Sequence, residues 1–205
     1  MTHETHGKER FQEMYQRQPP WDIDRPQPTF VSIADQIEGS ILDAGCGTGE
    51  NALFFAQRGH TVYGIDFLEK PISKARQKAE QLGVFACFLV MDALALGEIP
   101  RQFDNVIDCG LFHVFSDDDR AKYVASLRSV LKLGGKLWMM CFSDQEPGTD
   151  GPRRISQQEI HDAFQNGRDL ESITAVQFEV VPDLDGFEFS EGGPHAWFVV
   201  AKNTS

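Results

Sequence analysis

Ser40-Ile41-Leu42-Asp43-Ala44-Gly45-Cys46-Gly47-Thr48-Gly49-Glu50 decides how this chain folds. A short apolar run, an aspartate, three glycines at alternate positions and a helix-forming stretch from Glu50 to Arg58 read as strand, tight turn and helix, with Gly59 as the stop. Glycine lacks the Cβ that would hold a ligand off the backbone, and it takes positive φ without steric cost. The turn therefore admits a ligand close to the chain, beside the free N–H groups of a helix start. The spacing is G-x-G-x-G, whereas dinucleotide folds use G-x-G-x-x-G, which argues against a nicotinamide dehydrogenase.

Working outward, the same alternation recurs downstream. Residues 61–65, 84–91, 103–109 and 136–143 read as strands. Residues 71–82 and 117–131 read as helices, the second stopped by Leu133-Gly134-Gly135. A loop (144–154), a helix (156–165) and two late apolar segments (172–181 and 195–202) follow, the last pair suiting an antiparallel hairpin at one sheet edge. The βαβα order predicts an α/β fold with a doubly wound, mostly parallel sheet, in which ligands bind outside the carboxyl ends of the strands. Upstream, residues 1–30 read as an extension: a short helix over Phe11–Tyr15, then Pro19, Pro20, Pro26 and Pro28, which forbid regular structure. A helix over 29–37 leads into a single domain spanning 31–205.

Composition limits the partners. The chain has 205 residues, and 19 Lys+Arg against 31 Asp+Glu give a net charge of −12. With no basic run beyond Arg153-Arg154, it lacks the electrostatic footprint of a nucleic-acid binder. No apolar run approaches the roughly 20 residues needed to cross a bilayer, and Met1-Thr2-His3-Glu4-Thr5-His6 is no signal core, so a soluble cytoplasmic protein is expected. Cys46, Cys87, Cys109 and Cys141 have no CxxC spacing, and reduced thiols without metal are expected; His3 and His6 offer at most a weak metal role. Sequence leaves the oligomeric state open.

Asp66, Asp92 and Asp108 each fall at or near a strand end. A carboxylate about 20 residues after the glycines is where nucleotide-binding α/β folds hold a ribose hydroxyl pair, a role Asp66 fits. The alternative for each is a polar terminator or helix cap. Asp117-Asp118-Asp119 reads as a helix start favoured by the dipole.

Ile41–Gly49, Val62-Tyr-Gly-Ile-Asp66, Met91-Asp-Ala93 and Leu131-Lys-Leu-Gly-Gly-Lys136 resemble the successive motifs of class I S-adenosylmethionine-dependent methyltransferases. The resemblance covers residues 40–143 and implies a seven-stranded sheet whose last strand is inserted antiparallel. It implies a methionine-binding role for Asp43, Gly45, Cys46 and Gly47, ribose binding by Asp66, and adenine contact by Phe67, Asp92 and Ala93. Cys109 and Gly110 would border the sulfonium. The segment Pro20-Trp21-Asp22-Ile23-Asp24-Arg25-Pro26 is similar to the small-molecule subgroup of thiopurine, thiol and tellurite-resistance methyltransferases. There an N-terminal aromatic segment covers the cofactor, which makes Trp21 a lid residue, the alternative being that it packs the extension onto the domain.

In such a fold the cofactor carries the activation, and the protein holds a small-molecule acceptor in line and excludes water. Without a His–Asp pair, a readily ionised thiol or phenol, or an aromatic nitrogen, is expected as the S, O or N nucleophile. His113 is the best candidate base, the alternatives being acceptor positioning or a structural role. Phe112 and Phe115 are expected to line the acceptor pocket or its core side. His195 is expected at the pocket or in a turn. A nucleic-acid aminomethyltransferase is disfavoured because Asp108-Cys-Gly-Leu111 stands where a Pro-Pro-aromatic motif belongs. A non-catalytic S-adenosylmethionine sensor remains the alternative to an enzyme.

Overall fold

β5 (Leu131–Phe142) shows how the sequence builds its layers. Leu137, Met139 and Cys141 enter one apolar core, and Trp138, Met140 and Phe142 enter the other. Its antiparallel neighbour β7 (His195–Asn203) does the same, with Trp197, Val199 and Ala201 on one side and Ala196, Phe198 and Val200 on the other. A strand buried on both faces reads as a continuous apolar run, and the period of two sorts it between two layers of helices.

The computed structural model describes residues 7–149, 151–164, 168–181 and 188–204. His3, His6 and the expected helix end at Gln165 lie outside these residues. One sheet of order β3-β2-β1-β4-β5-β7-β6 is formed by β1 (Ile41–Ala44), β2 (Val62–Asp66), β3 (Cys87–Val90), β4 (Phe103–Cys109), β5, β6 (Arg168–Gln177) and β7. The first five in that order are parallel, and β7 is inserted antiparallel between β5 and β6. This is the seven-stranded fold expected from the sequence. Chain order reverses between β1 and β4, which are direct neighbours, so the crevice opens where the glycine turn and Cys109–Gly110 emerge side by side.

Helices α2 (Pro28–Ser32), α3 (Glu50–Gln57) and α4 (Glu69–Leu82) bury Phe30, Ala52, Phe55, Ile72 and Ala75 on one face. Helix α5 (Asp117–Val130) buries Tyr123, Leu127 and Val130 on the other, beside α6 (Gln157–Ala163), which starts in a Ser156/Glu159 capping box. Ser116 caps α5 and the three aspartates fill its first turn, as its sequence predicts. The remaining helix, α1 (Lys8–Met14), belongs to the N-terminal extension. Among the described residues no helix is long and apolar enough to cross a membrane.

Several boundaries differ from expectation: β3 is shorter than 84–91, and β6 spans Arg168–Gln177 where 172–181 was expected. Leu131-Lys-Leu-Gly-Gly135 is no connector after α5, because β5 begins at once. Leu131 pairs with Phe103 and Lys136 with Asn105, so the extra residues bulge out of the ladder where Gly134 has φ +80°. The helix expected over 29–37 breaks after Ser32 and resumes as a 3₁₀ turn at Ala34–Gln36.

Candidate active site

The glycine turn is floored by Asp43, which is fully buried with no hydrogen bond of ordinary geometry to either carboxylate oxygen. Burial, with Asp108 and Asp66 adding repulsion, pushes its carboxyl up to about 8. Gly45 lines the cavity above it, and a Cβ there would come within 3.1 Å of Leu111. Gly47 is roofed by Tyr15 from the extension, whose Oη lies 2.8 Å from where a Cβ would stand. The Cys46 side chain turns away from the cavity, toward Gly64 and Phe88, and burial pushes its thiol well above the ordinary range.

At the end of β2, Asp66 accepts the Leu68 amide on Oδ1 (2.9 Å) and the Gly47 amide on Oδ2 (3.3 Å). Burial nonetheless raises its carboxyl to about 6. Phe67 follows on the cavity wall, edge-on to Phe11 at 5.6 Å. Asp92 and Ala93 also line the wall, and Asp92 caps the next 3₁₀ turn by accepting the Leu94 amide at 2.9 Å. Asp108 lies beneath the wall as a structural clamp. It accepts the amides of Leu111 (2.7 Å) and Phe112 (3.1 Å) and the Tyr123 hydroxyl (2.9 Å), and burial raises it to about 7. Cys109 and Gly110 then enter the cavity, the thiol pushed up by burial and by Asp43 and Asp108.

The extension lies across this crevice. Trp21 donates from Nε1 to Tyr15 Oη (3.1 Å) and packs edge-on against Phe11 and Tyr15. Thr48 of the glycine turn donates to Asp22 (2.5 Å), and the Gln27 amide donates to Asn51 (3.0 Å). Gln27 also exchanges side-chain bonds with the backbone of Glu179 (2.8 and 2.9 Å), while Arg25 pairs with the Glu179 carboxylate. Asp22, Asp24 and Glu50 are grouped closely enough to hold a cation, but Lys78 fills that role, pairing with Glu50 and lying 3.6 Å from Asp24.

Turn, carboxylates and extension enclose one cavity of about 550 Å³. A family model described as a methyltransferase domain matches residues 41–135. The 2-heptyl-1-hydroxyquinolin-4(1H)-one methyltransferase of Mycobacteroides abscessus is 30% identical over 180 residues, spanning 85% of this chain and 78% of that protein. This chain belongs to the S-adenosylmethionine-dependent methyltransferases. A structure solved in work on the conversion of a disulfide bond into a thioacetal group during echinomycin biosynthesis is 33% identical, with a TM-score of 0.85, covering 96% of this chain and 93% of that one. TehB from Haemophilus influenzae shares the fold at 15% identity, with a TM-score of 0.69 over 94% of this chain and 65% of its own.

The methyltransferase cofactor, S-adenosylmethionine, fits the residues present. It is a cation with a polar amino-acid end; the strand-end Asp66 lines the cavity, and the Asp43 carboxyl is buried beneath the glycine turn without a hydrogen-bond partner. A turn that has no room for Cβ atoms supplies the close approach.

The far end of the methyltransferase cavity is aromatic. Phe142 and Phe178 stack at 5.6 Å, Phe189 meets Phe142 edge-on at 5.9 Å, and Val114 and Phe115 close the side. His113 stands among them, its Nδ1 accepting the Phe142 amide at 3.0 Å. Phe112 and His195, each offered with an alternative to the acceptor pocket, do not line the cavity. Phe112 is fully buried in the core, stacked on Phe164 at 5.9 Å with the Arg120 guanidinium over its ring, because the Asp108 clamp turns it beneath the sheet end. His195 is not on the cavity wall; its amide donates to Glu146 at 2.7 Å and its carbonyl accepts the Ser143 amide, which fixes it as a strand-start residue.

Residues that sequence reading overlooked include Tyr15, Leu111, Phe142, Phe178 and Phe189. Phe11, Met14 and Tyr15 stand at i, i+3 and i+4 along a mostly charged stretch, a signal that could have marked a covering face. Phe178 and Phe189 both lie in the connection from β6 to β7, and no local pattern distinguishes them from core aromatics.

Proposed function

We propose that this enzyme transfers the methyl group of S-adenosylmethionine to a small aromatic molecule bearing a sulfur, oxygen or nitrogen nucleophile. The observation that carries the reading is the single cavity that joins the glycine turn and strand-end carboxylates to an aromatic box. When bound, the cofactor supplies an electrophilic methyl group on a sulfonium. In this reading Asp66 holds the ribose hydroxyls, Phe67 and Asp92–Ala93 hold the adenine, Gly45 and the turn hold the amino-acid end, and Cys109–Gly110 border the sulfur. Asp43 supports the turn from beneath with a carboxyl that burial raises to about 8, and Cys46 and Gly47 shape the turn without reaching the cavity wall.

Phe115, Phe142, Phe178 and Phe189 present flat apolar faces to the acceptor and exclude water, which raises the rate by orientation and not by acid–base chemistry. Two relatives above 25% identity support a small acceptor: one is named for a hydroxyquinolinone, the other comes from work on a disulfide converted to a thioacetal. Residues 1–30 act as a lid, with Trp21 and Tyr15 as its aromatic face, hung on Asp22–Thr48 and Gln27–Glu179. Residues 31–205 form the cofactor-binding domain.

Isothermal titration with S-adenosylmethionine and S-adenosylhomocysteine, with NAD as control, tests the cofactor half. A methyl-transfer screen over thiophenols, phenols and hydroxylated heteroaromatics tests the acceptor half. Binding of both adenosyl compounds with turnover of one acceptor class is expected. Turnover of aliphatic alcohols or peptides alone would overturn the acceptor reading.

A further inference from the structure

Residues 20–27 of the extension form a strap fastened at two places that belong to opposite ends of the cavity. On the cofactor side, Thr48 of the glycine turn donates to Asp22 at 2.5 Å, and Asn51, in the first turn of α3, accepts the Gln27 amide at 3.0 Å. On the acceptor side, the Val181 amide donates to the Pro20 carbonyl at 2.9 Å. There too Gln27 Nε2 donates to the Glu179 carbonyl (2.8 Å), while Gln27 Oε1 accepts the Glu179 amide (2.9 Å). The buried Gln27 side chain thus meets both backbone groups of Glu179, as an antiparallel neighbour strand would, while its own backbone nitrogen is held from α3.

Glu179 follows Phe178 in the chain. The Phe178 ring stacks on Phe142 at 5.6 Å in the aromatic box, and its Cζ lies 3.9 Å from where a Cβ on Gly110 would stand. A clasp on Glu179 therefore fixes the point from which one wall of the acceptor box projects. The strap itself is stiff. Pro20 and Pro26 lock φ, and Asp24 sits at φ +55°, a conformation that a non-glycine residue keeps when its surroundings impose it. Such a segment passes a displacement from one end to the other instead of absorbing it. Pro20, Trp21, Gln27, Glu179 and Val180 all line the cavity, which puts a ligand there within reach of the strap.

We propose that Gln27 is a positioning residue that couples the two halves of the site: a bound cofactor holds the strap on the glycine turn, and the strap, through Gln27, sets Phe178 for the acceptor. This coupling rests on the cofactor reading above and adds to it that an aromatic acceptor binds the loaded protein more tightly than the empty one. Linkage makes the effect reciprocal, so the acceptor tightens the cofactor by the same factor. A glutamine that merely fastened the extension would contribute to stability and to each affinity without making one ligand's affinity depend on the other.

Amide hydrogen exchange, with S-adenosylhomocysteine as the probe, tests the coupling in the wild type, Gln27→Met and Thr48→Val. Met keeps the length of the side chain and removes both bonds to Glu179, while Val keeps the shape of Thr48 and removes its bond to Asp22. In the wild type the probe is expected to slow exchange severalfold at the Glu179 and Val181 amides. In Gln27→Met it should still slow the Gly47 and Leu68 amides, which both donate to Asp66, but no longer the Val181 amide. Without ligand, Thr48→Val is expected to speed exchange severalfold at Glu179 and Val181, across the cavity from the substitution. Titration with 8-hydroxyquinoline and 4-nitrophenol should give dissociation constants roughly 5- to 150-fold lower when S-adenosylhomocysteine is present, and the factor should fall to about one in Gln27→Met. Slowing confined to Gly47 and Leu68 in the wild type, or a factor that survives in Gln27→Met, would overturn the proposal. If S-adenosylhomocysteine does not bind, the cofactor reading fails, and the ligand-free Thr48→Val exchange still judges the strap: faster exchange at Glu179 and Val181 supports it, unchanged exchange overturns it. If neither aromatic probe binds, the acceptor class fails while the exchange data still judge Gln27.

Discussion

Replacing Asp66 by Asn should make the ligand-free protein more stable at neutral pH while weakening cofactor binding. Burial raises this carboxyl from the ordinary 3.8 to about 6 despite its two amide partners. The native state therefore binds more protons than the unfolded chain between those values, and stability falls as pH rises through about 4 to 6. The gap of about 2 pH units corresponds to about 3 kcal/mol of lost stability at pH 7.5, an upper figure for so buried a group. Asn carries no charge, but it keeps only one acceptor for two N–H groups, which costs about 1–2 kcal/mol. The net gain of about 1–2 kcal/mol at pH 7.5 should raise Tm by about 2–8 °C for a chain of this size. Near pH 4 the advantage should disappear, because the native wild-type carboxyl is then protonated. Urea unfolding at both pH values measures the difference, and titration with S-adenosylmethionine should show affinity lower by roughly 2–4 kcal/mol. A variant less stable than wild type at pH 7.5 would refute the burial argument, and an unchanged dissociation constant would refute the ribose assignment.

Trp21→Ala removes two edge-on aromatic contacts and the bond to Tyr15; cofactor affinity should fall roughly tenfold, through faster dissociation in stopped-flow, with little change in Tm. Phe112→Ala should cost about 3–5 kcal/mol in denaturant unfolding as a core cavity, while acceptor KM at a temperature where it is folded stays within a few-fold. Gly47→Ala places a Cβ against Tyr15 Oη at φ +53°; a loss of about 1–2 kcal/mol in thermal stability is expected, with the Trp21 fluorescence altered as Tyr15 is displaced.

Local patterns carried the fold a long way. Strand-turn-helix around Asp43–Glu50 and the apolar runs that follow set the βαβα order, because a strand covered on both faces reads as a near-continuous apolar run. The glycine turn and strand-end acids marked the cofactor end for a similar reason: close approach and a polar cleft both depend on residue type at a fixed spacing. The alternatives left open clustered where the outcome hangs on three-dimensional direction. Phe112 and Phe115 are three apart on one short segment, yet the Asp108 clamp sends the first to the core and leaves the second on the cavity wall. His195 looked available in a glycine-rich turn, but Glu146, 49 residues earlier, holds its amide.

The sequence by itself determined the element order, the position of the glycine turn, the acids that end the strands and the absence of a basic surface, all of which depend on neighbours along the chain. The tertiary structure alone decided that Tyr15 and Trp21 cover the turn, that Phe142, Phe178 and Phe189 converge into one aromatic box, and that His113 Nδ1 accepts the Phe142 amide. Each of these depends on groups about 30 or more residues apart meeting at an orientation that the sheet order sets, and residue type at a fixed spacing does not encode that orientation.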